Sequence, residues 1–162
     1  MGYFGSMEEE RGIDDLIEAV KILRQQNINI YILLSGKKRE NLNLNYKFIT
    51  YLGNIPFSKV PIAMACCDLL ALPYRNSEFL NNASSCKIAE YIAIQVPIVA
   101  TLSSNITQNF NLSEHATLND FALVNDIESL CKIINLQIKE RKIILNQSDN
   151  HQWSEISKKL FT

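Results

Sequence analysis

Apolar and polar positions follow two different periods along the chain, and strand-type and helix-type stretches alternate from its start. Five short apolar runs are typical of buried strands, and they lie at residues 1–5, 29–34, 48–52, 69–72 and 98–101. Apolar residues recur at helical spacing in three stretches between them, at residues 13–26, 57–67 and 86–94. The polar stretch 37–45 predicts one short helix. Later residues predict a weak strand at 121–124, a long helix at 127–145 and a closing helix at 153–161.

Strands that alternate with helices predict parallel βαβ units and an α/β, Rossmann-like, doubly wound parallel sheet. We expect one compact domain over residues 1–162. Ligands of such sheets bind outside the carboxyl ends of the strands. The candidate site therefore lies in the loops that follow the strands, at residues 5–12, 35–38, 53–55 and 73–85.

The stretch 82–101 carries the most informative chemistry. Ser84 or Ser85 can cap the helix predicted at 86–94, and Pro97 breaks the chain before the next strand. A helix N-terminus exposes N–H groups with a partial positive charge, which favours a phosphate group. Glu90, one turn further in, can accept hydrogen bonds from the two hydroxyls of a ribose. The alternative is that Glu90 simply pairs with Lys87 on the same helix face.

The other loops contain one candidate cation for phosphate binding and two glycines that could lie beside a base. Arg11 is the candidate phosphate-binding cation of the first loop, and the alternative is a solvated arginine that answers the acidic residues 8–10. Gly36 and Gly53 could let a flat base approach the backbone, although glycine after a strand often only makes the turn.

Composition narrows the classes of function. The chain has 162 residues, of which 47% are hydrophobic and 20% charged, as in a globular domain. Sixteen basic residues against seventeen acidic ones give a net charge of −1, which argues against a nucleic-acid surface. The sequence predicts neither a membrane span nor a signal peptide. Four cysteines without a CxxC spacing indicate reduced thiols and a cytoplasmic location, and two histidines are too few for a metal cluster.

The order of these features resembles the C-terminal, nucleotide-sugar-binding domain of family 4 glycosyltransferases, which have the two-domain GT-B architecture. The first loop, residues 5–12, is similar to the family's Gly-Arg, four residues, Lys-Gly. Residues 84–91 and 97–101 are similar to its most characteristic segment, and residues 153–155 resemble its closing helix.

The resemblance implies that Arg11, Asn82 and Glu90 are the catalytic positions, with Glu90 on the ribose. It implies that the donor is bound by a larger set of residues: Gly5, Ser6, Arg11, Ser35, Gly36, Gly53, Asn54, Ile55, Ala83, Ser84, Ser85, Cys86, Lys87 and Glu90. No cofactor or metal is expected.

Two positions depart from the family pattern. Asn82 stands where the family's first glutamate is expected, so it cannot act as a base or carry charge, and Glu78 is a candidate substitute. Ser6 stands where the family has an arginine. The change leaves one fixed cation, Arg11, on the phosphates, and either weakens donor binding or gives the second role to a lysine such as Lys87.

The resemblance further implies a retaining hexosyl or N-acetylhexosaminyl transferase that uses a nucleotide diphosphate sugar, with a UDP-sugar favoured. The full enzyme would act in surface polysaccharide or lipopolysaccharide synthesis, including O-antigen. It would associate peripherally with the cytoplasmic face of the membrane and take a lipid-linked or saccharide acceptor through an N-terminal domain. That domain is not in this sequence, so we expect the fragment alone to bind the donor without transferring it.

Three other classes compete with this interpretation. An inactive partner subunit, or a non-enzymatic nucleotide-binding domain of the same fold, is compatible with Asn82 and Ser6. A nucleotide-sugar epimerase would need a histidine in the cleft, and His115 and His151 are poorly placed for it. A receiver-like signalling domain would need an aspartate at the end of the third strand, where Gly53 stands.

Overall fold

The computed structural model describes residues 1–75, 77, 86–102 and 126–143. Within these ranges, five strands form one parallel sheet in the order β3-β2-β1-β4-β5. The strands are β1 (Gly2–Phe4), β2 (Ile32–Ser35), β3 (Ile49–Tyr51), β4 (Leu70–Leu72) and β5 (Ile98–Ala100). This sheet confirms the predicted Rossmann-like α/β class.

Helices cover both faces of the sheet. The four α-helices of the described ranges are α1 (Ile13–Gln25), α2 (Val60–Ala65), α3 (Cys86–Ile94) and α4 (Ile127–Glu140). Helix α1 packs against α4, whereas α2 packs against α3 and β1. The crossovers β1–α1–β2 and β3–α2–β4 run in opposite directions along the sheet, so right-handed connections place α1 and α2 on opposite faces.

The core lies between these layers. Tyr3, Leu34, Leu70 and Val99 are fully buried in strands, and α1 contributes a buried apolar face that includes Leu16. A parallel sheet covered on both faces has strands that are apolar throughout, because neither face reaches water. The apolar runs of the sequence therefore predicted the strands well, and β2 begins three residues later than expected.

The predicted short helix at 37–45 does not form, so that prediction is wrong. The backbone N–H of Met7 donates to the Lys37 carbonyl at 2.9 Å, and Met7 pairs with Lys38 in an isolated parallel bridge. The Asn43 side chain accepts the N–H of Asn45 at 2.9 Å. Asparagine side chains that bond the nearby backbone favour turns over helices, and the start of the segment pairs with the first loop instead of beginning a helix.

Helix α4 is shorter than predicted. Asp126 caps its start by accepting the N–H of Ser129 at 2.9 Å, but the helix ends at Glu140 because Arg141 adopts a left-handed conformation, with φ of 51°. The buried Gln137 side chain accepts the N–H of Lys142 at 3.0 Å and fixes this end. The predicted helix 57–67 is a 3-10 turn (Phe57–Lys59) followed by α2, with Pro61 in its first turn as expected.

The strand predicted at 121–124 and the helix predicted at 153–161 lie outside the described residues. Among the described helices, none combines the length and the hydrophobicity that a transmembrane span requires.

Candidate functional site

The direction of the chain across the sheet reverses between β1 and β4. From β1 the chain moves to β2 and β3, and it then crosses to β4 and β5 on the other side. In open α/β sheets, the crevice at this reversal, outside the carboxyl ends of the strands, is the usual ligand site. The loop after β1, the start of the loop after β4 and helix α3 meet there.

The first residues after β4 are fastened to the start of α1. Gly12 has φ of 67°, and a Cβ atom there would lie 1.8 Å from the carbonyl oxygen of Pro73. The guanidinium of Arg75 forms two hydrogen bonds of 2.7 Å to the carboxylate of Asp15, and its backbone N–H donates to the Glu10 carbonyl. The bond to Asp15 raises the pKa of Arg75. Arg75 is therefore neutralised and holds the loop.

Arg11 has a different environment. It ends the 3-10 turn Glu9–Arg11, and its guanidinium carbon lies 5.1 Å from the centroid of the Tyr74 ring. Its Nε is buried without a hydrogen-bond partner. Within the described ranges Arg11 forms no ion pair, and its neighbour Glu9 lies near Arg75 instead, at 3.6 Å. The alternative, in which Arg11 is solvated and forms ion pairs with its acidic neighbours, is therefore not observed.

Helix α3 is attached to the end of β1 by two side chains. The Tyr91 hydroxyl accepts the backbone N–H of Phe4 at 3.1 Å, and Nζ of Lys87 donates to the Phe4 carbonyl at 2.7 Å. Burial lowers the pKa of Lys87, while Glu90 raises it and Arg11 lowers it. These three charged groups are thus close enough to interact at the reversal point.

Glu90 is exposed on α3. The Lys87 ammonium is directed to the Phe4 carbonyl, and the ion pairs found in the described part of the chain do not join Lys87 to Glu90. The simple i,i+3 pairing is therefore not formed, and the Glu90 carboxylate is accessible for hydrogen bonds from a ligand.

The ends of β1, β2 and β3 are joined by short backbone contacts. The Gly5 N–H donates to the Ser35 carbonyl at 2.8 Å, and the Gly36 N–H donates to the Gly53 carbonyl at 2.9 Å. The buried Ser35 hydroxyl also donates to the Gly53 carbonyl, at 2.8 Å. A Cβ atom at Gly36 would lie 2.1 Å from the Gly5 carbonyl oxygen, so this approach of two loops needs glycine.

The remaining predicted site residues are distributed around these loops. Ser6 is half-buried and its carbonyl accepts the Tyr3 hydroxyl at 2.6 Å. Asn54 and Cys86 are exposed, and Ile55 is half-buried. Five predicted positions lie outside the described residues: Glu78, Asn82, Ala83, Ser84 and Ser85.

Sequence reasoning missed the aromatic support of the site. Tyr3, Tyr74 and Tyr91 are fully buried at the reversal point, where Tyr74 lies beneath Arg11, Tyr3 lies beneath Lys87 at 5.8 Å, and Tyr91 holds α3. A tyrosine within an apolar run is predicted to lie in the hydrophobic core. The sequence has no signal that distinguishes such a core ring from a ring that packs beneath a cation.

A cavity of about 340 Å³ lies at the amino ends of the strands, on the opposite side of the sheet from the predicted loops. It is lined by residues that precede the strands or end α4, including Met1, Tyr31, Asp68 and Arg141. The predicted loops do not contribute to it. In the part of the chain that the structure describes, no group of three or more histidine, cysteine, aspartate and glutamate side chains could hold a metal ion.

The sequence matches the family model of glycosyl transferases group 1 over residues 1–136. The chain belongs to this family. No curated protein matches it significantly.

Solved structures share the fold at low sequence identity. Anabaena Alr3699/HepE in complex with UDP-glucose is 21% identical, with a TM-score of 0.63, over 85% of this chain and 39% of that one. The C-terminal domain of a glycosyl transferase group 1 family protein (LpcC) from Francisella tularensis is 14% identical, with a TM-score of 0.65, over 86% of this chain and 74% of that one. Sucrose-phosphate synthase from Thermosynechococcus elongatus is 13% identical, with a TM-score of 0.63, over 98% of this chain and 45% of that one.

This chain has the Rossmann-like domain of the GT-B glycosyltransferases. It spans about two fifths of the length of the HepE structures that it matches, which is 39% in each.

Proposed function

We propose that this chain is the donor-binding domain of a glycosyltransferase that uses a nucleotide diphosphate sugar. The observation that carries the proposal is the environment of Arg11. Its guanidinium rests on the Tyr74 ring at the reversal point of the sheet, without a carboxylate partner in the described ranges. A cation held in place but not neutralised at such a crevice suits the diphosphate of a nucleotide sugar.

Glu90 fits the other end of the same ligand. It lies on α3 within electrostatic range of Lys87 and its carboxylate is exposed. A carboxylate accepts two hydrogen bonds from neighbouring hydroxyls, as a ribose presents them. The close loops at Gly36 and Gly53 leave little side-chain bulk beside the ends of β1 and β2, where the base would lie.

The preference for uridine rests on relatives. Solved structures of the same fold include HepE with UDP and with UDP-glucose, and the pneumococcal O-GlcNAc transferase GtfA with UDP and GlcNAc. We therefore propose a UDP-sugar donor and transfer of a hexosyl or N-acetylhexosaminyl group with retention of configuration.

The chemistry proposed for the full enzyme needs no metal. As the bond from the sugar to the diphosphate breaks, negative charge develops on the leaving diphosphate, and Arg11 and the N-terminus of α3 would stabilise it. The sugar is transferred to a lipid-linked or saccharide acceptor bound by a preceding domain at the cytoplasmic membrane face, in surface polysaccharide or lipopolysaccharide synthesis. This chain would then be the C-terminal half of a GT-B enzyme.

Calorimetric titration of the 162-residue chain with UDP, GDP and UDP-sugars tests the proposal. We expect UDP to bind and its affinity to fall about tenfold or more in Arg11→Ala and in Glu90→Ala, since each loses a charged hydrogen bond worth about 1.5–3 kcal/mol. Arg24→Ala is the matched control, because Arg24 also rests on aromatic rings, at 5.0 and 5.5 Å from Tyr31 and Phe48, but is fixed to the Ile30 carbonyl away from the predicted loops. Binding that both site variants retain would contradict the proposal.

A catalytically inactive partner subunit is the second candidate. Asn82 and Ser6 favour it, because an amide and a hydroxyl replace two charged groups of the family pattern. Donor hydrolysis by the chain joined to an acceptor domain separates the two: turnover supports the enzyme, and UDP binding without turnover supports the partner subunit.

A further inference from the structure

The cavity at the amino ends of the strands, of about 340 Å³, has no part in the donor site. Its wall comes from three parts of the chain: the residues around the start of β1 and β2, Leu69 before β4, and the last turns of α4. Short backbone bonds fix this wall. The N–H of Leu33 donates to the Met1 carbonyl and the N–H of Gly2 donates to the Leu69 carbonyl, both at 2.8 Å. The cavity is therefore framed by the sheet itself.

Two large apolar side chains of the cavity wall are exposed to solvent. Tyr31 is 55% exposed and Ile138 is 37% exposed. Both line the cavity together with the buried Leu69. The Tyr31 ring has a fixed neighbour, since the guanidinium carbon of Arg24 lies 5.0 Å from its centroid. Exposed apolar surface in a concavity favours an apolar occupant, because covering it removes that surface from water.

The chain leaves helix α4 at the rim of this cavity. Gln137 and Arg141 both line it, and the buried Gln137 amide donates to the Ile98 carbonyl at 2.9 Å. The same side chain accepts the N–H of Lys142 at 3.0 Å. These two bonds fix the backbone of residue 142 beside the start of β5. Residues 144–162, which lie outside the described ranges, therefore continue from a point next to the cavity.

The sequence of residues 144–162 has an apolar face that needs a partner. Trp153 is the only tryptophan of the chain. Ile156 and Leu160 follow it at spacings that share one face of the helix predicted at 153–161. Only polar residues lie between these three, so they form a narrow apolar stripe. Such a stripe leaves water only when it packs against another apolar surface.

Trp153 can reach the cavity and fits it. The residues 144–152 span up to about 30 Å, since an extended chain covers about 3.3–3.6 Å per residue. A short connection of this kind holds the tryptophan at an effective concentration in about the millimolar range. An apolar cavity of about 150 Å³ accepts benzene, so one of about 340 Å³ accepts an indole. The indole N–H has an acceptor within the wall, the exposed carboxylate of Asp68.

We propose that Trp153 occupies this cavity and that residues 153–161 dock at the amino ends of the strands through the stripe of Trp153, Ile156 and Leu160. The docked segment covers the exposed faces of Tyr31 and Ile138. It lies at the end of the sheet opposite the donor site, so the inference is independent of the proposed function.

The fluorescence of Trp153 tests the docking in the full chain, because no other tryptophan contributes to it. We expect emission at shorter wavelength than that of N-acetyltryptophanamide, and quenching by acrylamide that is weaker by several-fold. Ile138→Lys places a charge in the cavity wall, and we expect it to return both values toward those of an exposed indole. Ile138 is already partly exposed, and a lysine in the last turn of α4 suits the helix dipole.

Two further variants separate the cavity from general effects. Ile62→Lys is the matched control, because Ile62 is exposed on α2 and does not line the cavity, and we expect it to leave the emission unchanged. Tyr31→Ser removes apolar surface from the wall without adding a charge, and we expect a partial shift to longer wavelength. Thermal unfolding followed by circular dichroism shows that each variant is folded, and Tyr31→Ser replaces Ile138→Lys if that one is not.

Other results overturn the proposal. Wild-type emission and quenching like those of N-acetyltryptophanamide show that Trp153 is not docked. Emission at short wavelength that neither wall variant changes shows that it docks elsewhere. Emission that moves to longer wavelength on dilution shows that a second copy of the chain supplies the occupant. None of these results bears on UDP binding, so the proposed function is tested separately.

Discussion

At the scale of single residues, the site depends on what surrounds each charge rather than on the charges alone. Arg75 and Arg11 lie near the same reversal point, but Asp15 neutralises the first and a tyrosine ring supports the second. The sequence predicted Arg11 and Glu90 as candidate site residues by position and residue type. It could not show which arginine has a counterion, because Asp15 and Arg75 are 60 residues apart in the chain.

The titration of Lys87 predicts a pH dependence of UDP affinity. Burial holds its pKa below the ordinary 10.5, so the ammonium loses its proton, and its attraction for a diphosphate, before an exposed lysine would. We expect the affinity of the wild-type chain for UDP to fall more steeply than that of Lys87→Met as pH rises from 8 toward about 10.5, because the variant records only the titration of the other groups, including the uracil N–H of the ligand. Titrations in matched buffers, with circular dichroism as the check of folding, measure this; parallel profiles for the two proteins would contradict it.

At the scale of elements, the local sequence pattern predicts some helices correctly, whereas tertiary contacts override it elsewhere in the chain. The helix predicted at 86–94 is observed as Cys86–Ile94, because its apolar spacing agrees with its packing. The helix predicted at 37–45 is absent: Lys37 and Lys38 pair with the first loop, and Asn43 bonds the nearby backbone. The loop after β4 is held by Arg75 and by the approach of Pro73 to Gly12, neither of which has a local signature.

Because Arg75 bonds Asp15 closely and Glu9 only distantly, we predict that removing these two carboxylates changes the free energy of unfolding by different amounts. Asp15 is about one fifth exposed, at 19%, and accepts two bonds, whereas Glu9 is 80% exposed and 3.6 Å from Arg75. We expect Asp15→Asn to lower the free energy of unfolding by about 1–3 kcal/mol. We expect Glu9→Gln to change it by less than about 0.5 kcal/mol. Urea denaturation of the two variants measures both, and equal effects would show that the pair does not hold the loop.

At the scale of the whole molecule, buried tyrosines link the free energy of unfolding to pH in alkaline solution. Burial raises the pKa of Tyr3 and of Tyr91 above the ordinary 10.0. The unfolded chain releases these protons near pH 10 while the folded chain keeps them, so the stabilisation is complete below pH 10 and is lost as pH rises further. Lys87 acts in the opposite direction, since its pKa is lowered. Burial raises the pKa of the Cys67 and Cys131 thiols, which act in the same direction as the tyrosines.

We therefore expect the free energy of unfolding to fall above pH 10, with a slope that approaches about 1.4 kcal/mol per pH unit for each tyrosine. Urea denaturation at a series of pH values measures this slope. Tyr3→Phe should reduce the slope by the contribution of one tyrosine. A stability that is constant or rises up to pH 11 would contradict the expectation.

The fold class and the set of candidate loops could be predicted from local sequence patterns alone. Apolar runs separated by helical spacing are local patterns, and burial on both faces of a parallel sheet imposes them on the strands. Tertiary packing was needed for the strand order, for the reversal between β1 and β4, and for the approach of Lys87 to the end of β1. These depend on contacts between residues far apart in the chain: Lys87 reaches the Phe4 carbonyl across 83 positions. Strand order and charge environment follow from how layers pack, which local periodicity does not record.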